Sequence, residues 1–293
     1  MTTTFQGVGT ALITPFNADF TIDFPSLKKI IAYVSESSDY LVVNGTTGES
    51  PTTTATEKQE LLRFVKENNP SQLPIVYGIG GNNTAAILET IKNTDFDGVS
   101  AILSVCPYYN KPSQAGLIAH YIAIADASPV PVILYNVPGR TGTTLAVESV
   151  VELSKHINII GLKDASCSLE QAQLLVNSLP EDFILVSGDD NLVTAQICIG
   201  YRGVISVIAN GFPQPFHEMT HSALKGDFKK ASEIQFKFLE FDKLLYVESN
   251  PVGIKKVCAI RGLCDARVRL PLVEATPSLG ESLENAMKRE GFL

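Results

Sequence analysis

The chain has 293 residues, with 23 Lys and Arg against 31 Asp and Glu, for a net charge of −8. Hydrophobic residues make up 45% and charged residues 18%, a balance that excludes disorder, collagen and coiled coil. The acidic sign, with no basic block, argues against nucleic acid and anionic membrane as partners, and no apolar run approaches the roughly 18 residues of a membrane span.

At the N-terminus no basic residue precedes Lys28, which argues against a signal peptide and makes the cytoplasm the expected compartment. Eight short apolar segments then recur, each bounded by turn residues: Val8–Ile13, Tyr40–Val43, Ile75–Ile79, Val99–Leu103, Val132–Tyr135, Ile157–Leu162, Phe183–Val186 and Val204–Ile208. Their first residues lie 21 to 35 positions apart. Stretches of helical period fall between them, such as Phe24–Val34, Glu57–Glu67, Gln114–Ala125 and Leu145–Lys155. The strands are continuously apolar rather than alternating, as in a parallel sheet buried on both faces. Eight such βα units predict an α/β fold, a (β/α)8 TIM barrel with a C-terminal helical extension; an open doubly wound sheet is the alternative. After Gly211 the pattern is helical throughout, over Pro213–Leu224, Asp227–Tyr246, Gly253–Arg261 and Ser278–Glu290. Residues 1–224 are therefore read as the barrel with its active site, and 225–293 as a helical appendage. The five cysteines, Cys106, Cys167, Cys198, Cys258 and Cys264, form no CxxC pair and are expected to be buried free thiols.

Chemistry in such a barrel sits at the C-terminal ends of the strands. Among those ends one lysine directly terminates an apolar run, Lys163 after Ile159-Ile160-Gly161-Leu162. Partial desolvation at a barrel mouth lowers a lysine pKa, and an ordinary lysine is neutral in only about one molecule in 2,500 at pH 7. A nucleophilic amine therefore needs such a site. Pairing of Lys163 with the adjacent Asp164, without chemistry, is the competing reading. Tyr109 and Tyr135 stand at neighbouring strand ends and could relay protons through the hydroxyls of Thr46 or Thr47. Arg140 follows a Pro-Gly turn and offers a planar fork suited to a carboxylate.

Three segments in order, Gly45-Thr46-Thr47-Gly48-Glu49, Tyr135-Asn136-Val137-Pro138-Gly139-Arg140-Thr141-Gly142 and Gly161-Leu162-Lys163-Asp164-Ala165, carry a family resemblance. The chain resembles the pyruvate-dependent class I aldolase superfamily, and within it the dihydrodipicolinate synthase family. The resemblance implies that Lys163 forms a Schiff base with pyruvate, whose enamine condenses with L-aspartate 4-semialdehyde to give 4-hydroxy-tetrahydrodipicolinate. It implies no cofactor and no metal, because the protonated imine is itself the electron sink. Tyr135 matches the acid/base tyrosine. Thr46 and Tyr109 match its relay partners, Tyr109 as the residue supplied across a tight dimer interface in a homotetramer. Thr47 matches a contact to the pyruvate carboxylate, and Arg140 the clamp on the semialdehyde carboxylate. Gly188 and Ile205 match positions that touch substrate or lysine through main-chain carbonyls. Another pyruvate-dependent lyase, of the N-acetylneuraminate or 2-keto-3-deoxy sugar acid type, is the alternative. The sialic acid lyase branch lacks the Pro-Gly-Arg-Thr-Gly segment. A non-catalytic barrel would be expected to lose the lysine or the tyrosine.

The resemblance also bears on regulation. Lysine-inhibited members hold the effector near the strand-2 loop. Ser50, Asn82 and Tyr108 match that site, whereas two histidine positions are Ala55 and Lys58, and the acidic position is Ala86. Weak or absent inhibition by L-lysine is expected, unless Glu57 or Glu89 restores the pairing. Other motifs lead away from this chemistry. His217-Glu218-Met219-Thr220-His221 matches HExxH but falls on an outer helix with no third histidine, and is read as a solvated surface. Cys106 is expected to be a packing thiol, and Asp189-Asp190 a cap on the helix that follows.

Overall fold

The computed structural model describes residues 4–293. In chain order, β1 (Gly7–Ala11), α1 (Phe24–Ser35), β2 (Tyr40–Val43), α2 (Ala55–Glu67), β3 (Ile75–Gly78), α3 (Thr84–Lys92), β4 (Ala101–Val105) and α4 (Gln114–Ala127) make the first half. The second half runs β5 (Val132–Asn136), α5 (Pro138–Thr141), α6 (Val147–Leu153), β6 (Ile159–Asp164), α7 (Leu169–Ser178), β7 (Ile184–Ser187), α8 (Val193–Cys198), β8 (Gly203–Ser206) and α9 (Pro213–Leu224). Three further helices follow: α10 (Phe228–Val247), α11 (Val252–Ile260) and α12 (Pro277–Arg289). The strands form a closed parallel barrel in sequence order, β1 returning to β8 through Gly7↔Gly203 to Thr10↔Ser206. Closure removes the open-sheet alternative. Among the described residues no helix is long and apolar enough to cross a membrane.

Local chemistry starts the helices where they start. Asp23, Asn83, Ser113, Ser168, Asp227 and Thr276 each accept a backbone N–H two or three residues into the helix that follows. Thr54 and Glu57 form a reciprocal capping box on α2. Alternate strand residues point to two apolar regions. One fills the barrel interior with Tyr40, Val42, Val76, Leu103, Ile133 and Ile205, among others; the larger lies between sheet and helices. Phe212, Phe238, Phe241 and Phe292 carry that outer region into the C-terminal helices.

Several boundaries differ from those read in the sequence. β1 and β8 stop short of Ile13 and Ile208 because the Asn210 side chain replaces the ladder. Its Nδ2 donates to the Ala11 carbonyl at 2.8 Å and its Oδ1 accepts the Ile13 N–H at 3.1 Å. β4 begins at Ala101, since the Val99 amide is bound in a turn to the Phe96 carbonyl. α6 begins at Val147, because Asn136 and Gln114 side chains take the amides of Leu145 and Ala146. All five cysteines are free as expected, but Cys167 and Cys198 are exposed rather than buried.

Candidate active site

The position of Lys163 depends on a bulge. β5 and β6 pair as Val132↔Ile159 and then Ile133↔Gly161, so one extra residue on β6 is passed over. Because strand side chains alternate faces, that extra residue turns Lys163 into the barrel and Asp164 out of it. Lys163 then lies opposite Tyr135 in the ladder, and its Nζ stands 4.4 Å from the Tyr135 ring centroid. Only 6% of Lys163 is exposed, and among the described residues it makes no ion pair. The pairing of Lys163 with Asp164 does not occur. Asp164 instead accepts hydrogen bonds from Tyr201 Oη at 3.0 Å and from Ser166 N–H and Oγ–H, each at 3.1 Å. Burial holds its pKa above the usual carboxylate range.

Lys163 opens into a cavity of about 750 Å³ at the C-terminal ends of the strands. Tyr135, Thr46, Thr47, Arg140, Gly188 and Ile205 line it, so seven of the eight residues expected to form the site meet in one space. Ala11, Val42 and Leu103 give it an apolar floor. Gly188 is shaped to the lysine: a Cβ there would fall 3.0 Å from Lys163 Cε and 2.7 Å from Ala165 Cβ. Thr46 and Thr47 belong to a 3-10 turn, and Thr47 Oγ1 accepts a hydrogen bond from Asn250 Nδ2 at 3.2 Å. Arg140 sits on the single turn of α5, stopped by Gly142 at φ 65°. Its side chain makes no hydrogen bond to the described residues. Tyr109 is the exception. It has φ 72°, is 89% exposed and projects away from the cavity.

Other contributors escaped the sequence reading. Asp242 and Tyr246 of α10, with Asn250, close one side of the cavity, so the C-terminal helices supply part of its wall. Burial and the nearby carboxylates of Asp190 and Asp189 push Asp242 up to about 7. Glu49, just past the threonine turn at φ 56°, pairs with Lys255 of α11 at 2.5 Å, both side chains at most 2% exposed. This pair fastens the turn from below. Strand-end reasoning has no way to find partners 206 residues apart. Asp190 does not cap α8 as expected. It accepts the amides of Val207 and Ile208 at 2.9 and 2.8 Å, holding the loop after β8. Cys106 is fully buried, and burial pushes its thiol up to about 11, so it packs rather than attacks.

Comparison with known proteins shows the family. A family model described as the dihydrodipicolinate synthetase family matches residues 4–290. The 4-hydroxy-tetrahydrodipicolinate synthase of Cytophaga hutchinsonii is 47% identical over 284 residues, covering 97% of this chain and 96% of that one. The chloride-inhibited dihydrodipicolinate synthase of Acinetobacter baumannii, solved with pyruvate, superposes with a TM-score of 0.95 at 36% identity, covering 99% of this chain and 100% of that chain. The Cyanidioschyzon merolae enzyme, solved with lysine bound, gives 0.94 at 36% identity, with 99% of each chain covered. A bulge-positioned lysine against a tyrosine, a threonine turn and an unpaired arginine thus occur in a chain that belongs to the dihydrodipicolinate synthetase family.

Proposed function

We propose that this enzyme condenses pyruvate with L-aspartate 4-semialdehyde to 4-hydroxy-tetrahydrodipicolinate, the first committed step towards diaminopimelate and lysine. The observation that carries the reading is a buried lysine, with no acid partner among the described residues, in the same cavity as a tyrosine, two threonines and an arginine. The Lys163 amine attacks the pyruvate ketone carbon, water leaves, and the protonated imine draws electrons from the methyl group, whose proton passes to the Tyr135 relay. The resulting enamine carbon attacks the aldehyde. The amino group that the semialdehyde already carries then attacks the imine carbon and displaces Lys163 as the ring closes. Tyr135 moves the protons with Thr46 and with Tyr109 of a second copy, which suits the outward projection of Tyr109 and a homotetramer built from tight dimers. Thr47 holds the pyruvate carboxylate, Gly188 and Ile205 contact the bound substrate through their carbonyls, and the cytoplasm is the compartment.

Arg140 provides the test of the second substrate. A paired guanidinium–carboxylate contact is worth about 1.5–3 kcal/mol per charged hydrogen bond. Arg140→Ala should therefore raise the KM for the semialdehyde about tenfold or more while imine formation with pyruvate persists. Steady-state kinetics with each substrate varied, and product identified by mass spectrometry, check this. Equal loss of pyruvate binding, or condensation with a sugar aldehyde in place of the semialdehyde, would overturn the assignment.

Regulation by L-lysine is expected to be weak. A second cavity, of about 770 Å³, is lined by Ser50, Ala55, Lys58, Ala86, Glu89 and Tyr108 among others. Glu57 does not reach it as a substitute acid: Arg269 grips its carboxylate at 2.5 and 2.9 Å, and this bond holds its pKa down at about 2. Glu89 is engaged by Asn93 Nδ2 at 2.7 Å. Glu89 is the one acid lining this cavity among the described residues, and an ammonium must compete with Asn93 for it; one that finds no carboxylate forgoes roughly 2–5 kcal/mol, and Lys58 adds like-charge repulsion. Titration with L-lysine should leave most activity at about 1 mM, and half-inhibition well below that would sink the idea.

A further inference from the structure

The HExxH segment is not the solvated surface its position suggested. Its two histidines stack on one face of α9, with ring centroids 3.9 Å apart and planes 26° from parallel. They meet Asp39, which stands just before β2, at the N-terminal end of the barrel. One ligand atom from each of Asp39, His217 and His221 lies within 4.8 Å of the others. His221 Nε2 is 2.9 Å from Asp39 Oδ2, and the side chains of this pair are 29% and 28% exposed, within reach of solvent. The carboxylate is fixed in place: Oδ2 also accepts the Val8 N–H at 2.7 Å, and the Asp39 amide donates to the Val8 carbonyl. Gly7, at φ +92°, keeps the space open. A Cβ there would fall 2.0 Å from Asp39 Oδ2 and 3.0 Å from His221 Nε2.

We propose that Asp39, His217 and His221 form a binding site for a divalent transition-metal ion at the end of the barrel opposite the catalytic cavity. Two imidazole nitrogens and one carboxylate oxygen, with water in the remaining position, suit zinc, cobalt, nickel or copper. Calcium and magnesium take oxygen ligands and are excluded by the two imidazoles. Glu218 is drawn away to Lys230 of α10 at 2.7 Å, so the residue that would serve as base in a metal hydrolase is turned elsewhere. The ion would tie α9 to the segment before β2, residues 182 apart in sequence, and act on stability rather than on the reaction.

The test uses the full chain, with any affinity tag removed, stripped with EDTA and titrated with zinc chloride against a chromophoric chelator. One zinc per chain should bind in the micromolar range and raise Tm. His217→Ala removes one ligand but leaves the Asp39–His221 and Asp39–Val8 hydrogen bonds intact, so it should fold. This variant should weaken binding at least about tenfold and abolish the Tm rise, with unchanged condensation activity. His156→Ala, at another surface histidine, should change neither. Cobalt in place of zinc should give the visible absorption of a tetrahedral nitrogen–oxygen site in the unaltered chain alone. Binding of equal strength in His217→Ala, or none up to about 1 mM zinc, would overturn the proposal.

Discussion

Incubated with pyruvate and borohydride, the protein should carry one reduced adduct, on Lys163, and the Lys163→Ala chain should carry none. Reduction converts the imine to a secondary amine that survives digestion, so peptide mass spectrometry locates it. The expectation is specific to this lysine because of where its neighbours leave it. Lys163 is almost fully buried, has no acid partner among the described residues, and lies against the Tyr135 ring. Condensation in Lys163→Ala should fall on the order of 10³-fold or more, since the substituted chain keeps the pocket but has no nucleophile to form the enamine. Gly188→Ala supplies the geometric control. Its Cβ would press on Lys163 Cε at 3.0 Å, so trapping should slow without changing site. An adduct on any other lysine, or undiminished trapping in Lys163→Ala, would end the Schiff-base reading.

Removing Lys255 should cost the chain a large share of its stability. Lys255 donates to Glu49 Oε1 at 2.5 Å and to the Arg267 carbonyl at 2.7 Å, and its Nζ lies 4.1 Å from the Phe16 ring centroid. Glu49 Oε2 accepts the Arg269 amide at 2.9 Å. Lys255→Met leaves the Glu49 carboxylate buried beside a thioether, and breaking a buried pair in this way costs about 3–5 kcal/mol. Urea unfolding should show that loss, with Tm lower by about 10 °C. Because Glu49 ends the turn that presents Thr46 and Thr47, the KM for pyruvate should rise as well. The double variant Glu49→Gln/Lys255→Met removes both charges and should recover a large part of the lost stability. A single variant as stable as the unaltered chain would show that the pair contributes nothing.

The sequence by itself determined the parallel α/β sheet and most of the candidate site, while closure into a barrel rather than an open sheet was decided by the pairing of β1 with β8. Continuous apolar strands at βα spacing can only be buried as a parallel sheet. Turn-rich strand ends gather the polar residues at one mouth, and so Thr46, Thr47, Tyr135, Arg140 and Lys163 were legible from local pattern, whereas Gly188 and Ile205 came from the family resemblance alone. What pattern could not decide was anything set by a pairing between distant segments. The face on which Lys163 emerges depends on one residue passed over between β5 and β6, a detail of register rather than of composition. The support of the threonine turn by Lys255, and the cavity wall given by Asp242 and Tyr246, come from helices beyond the last strand. The meeting of Asp39 with His217 and His221 likewise exists only once β1, β2 and α9 share one end of the barrel. Periodicity reports which face a residue occupies within its own element; which distant charge shares that space is fixed by packing and by the need to satisfy buried polar groups.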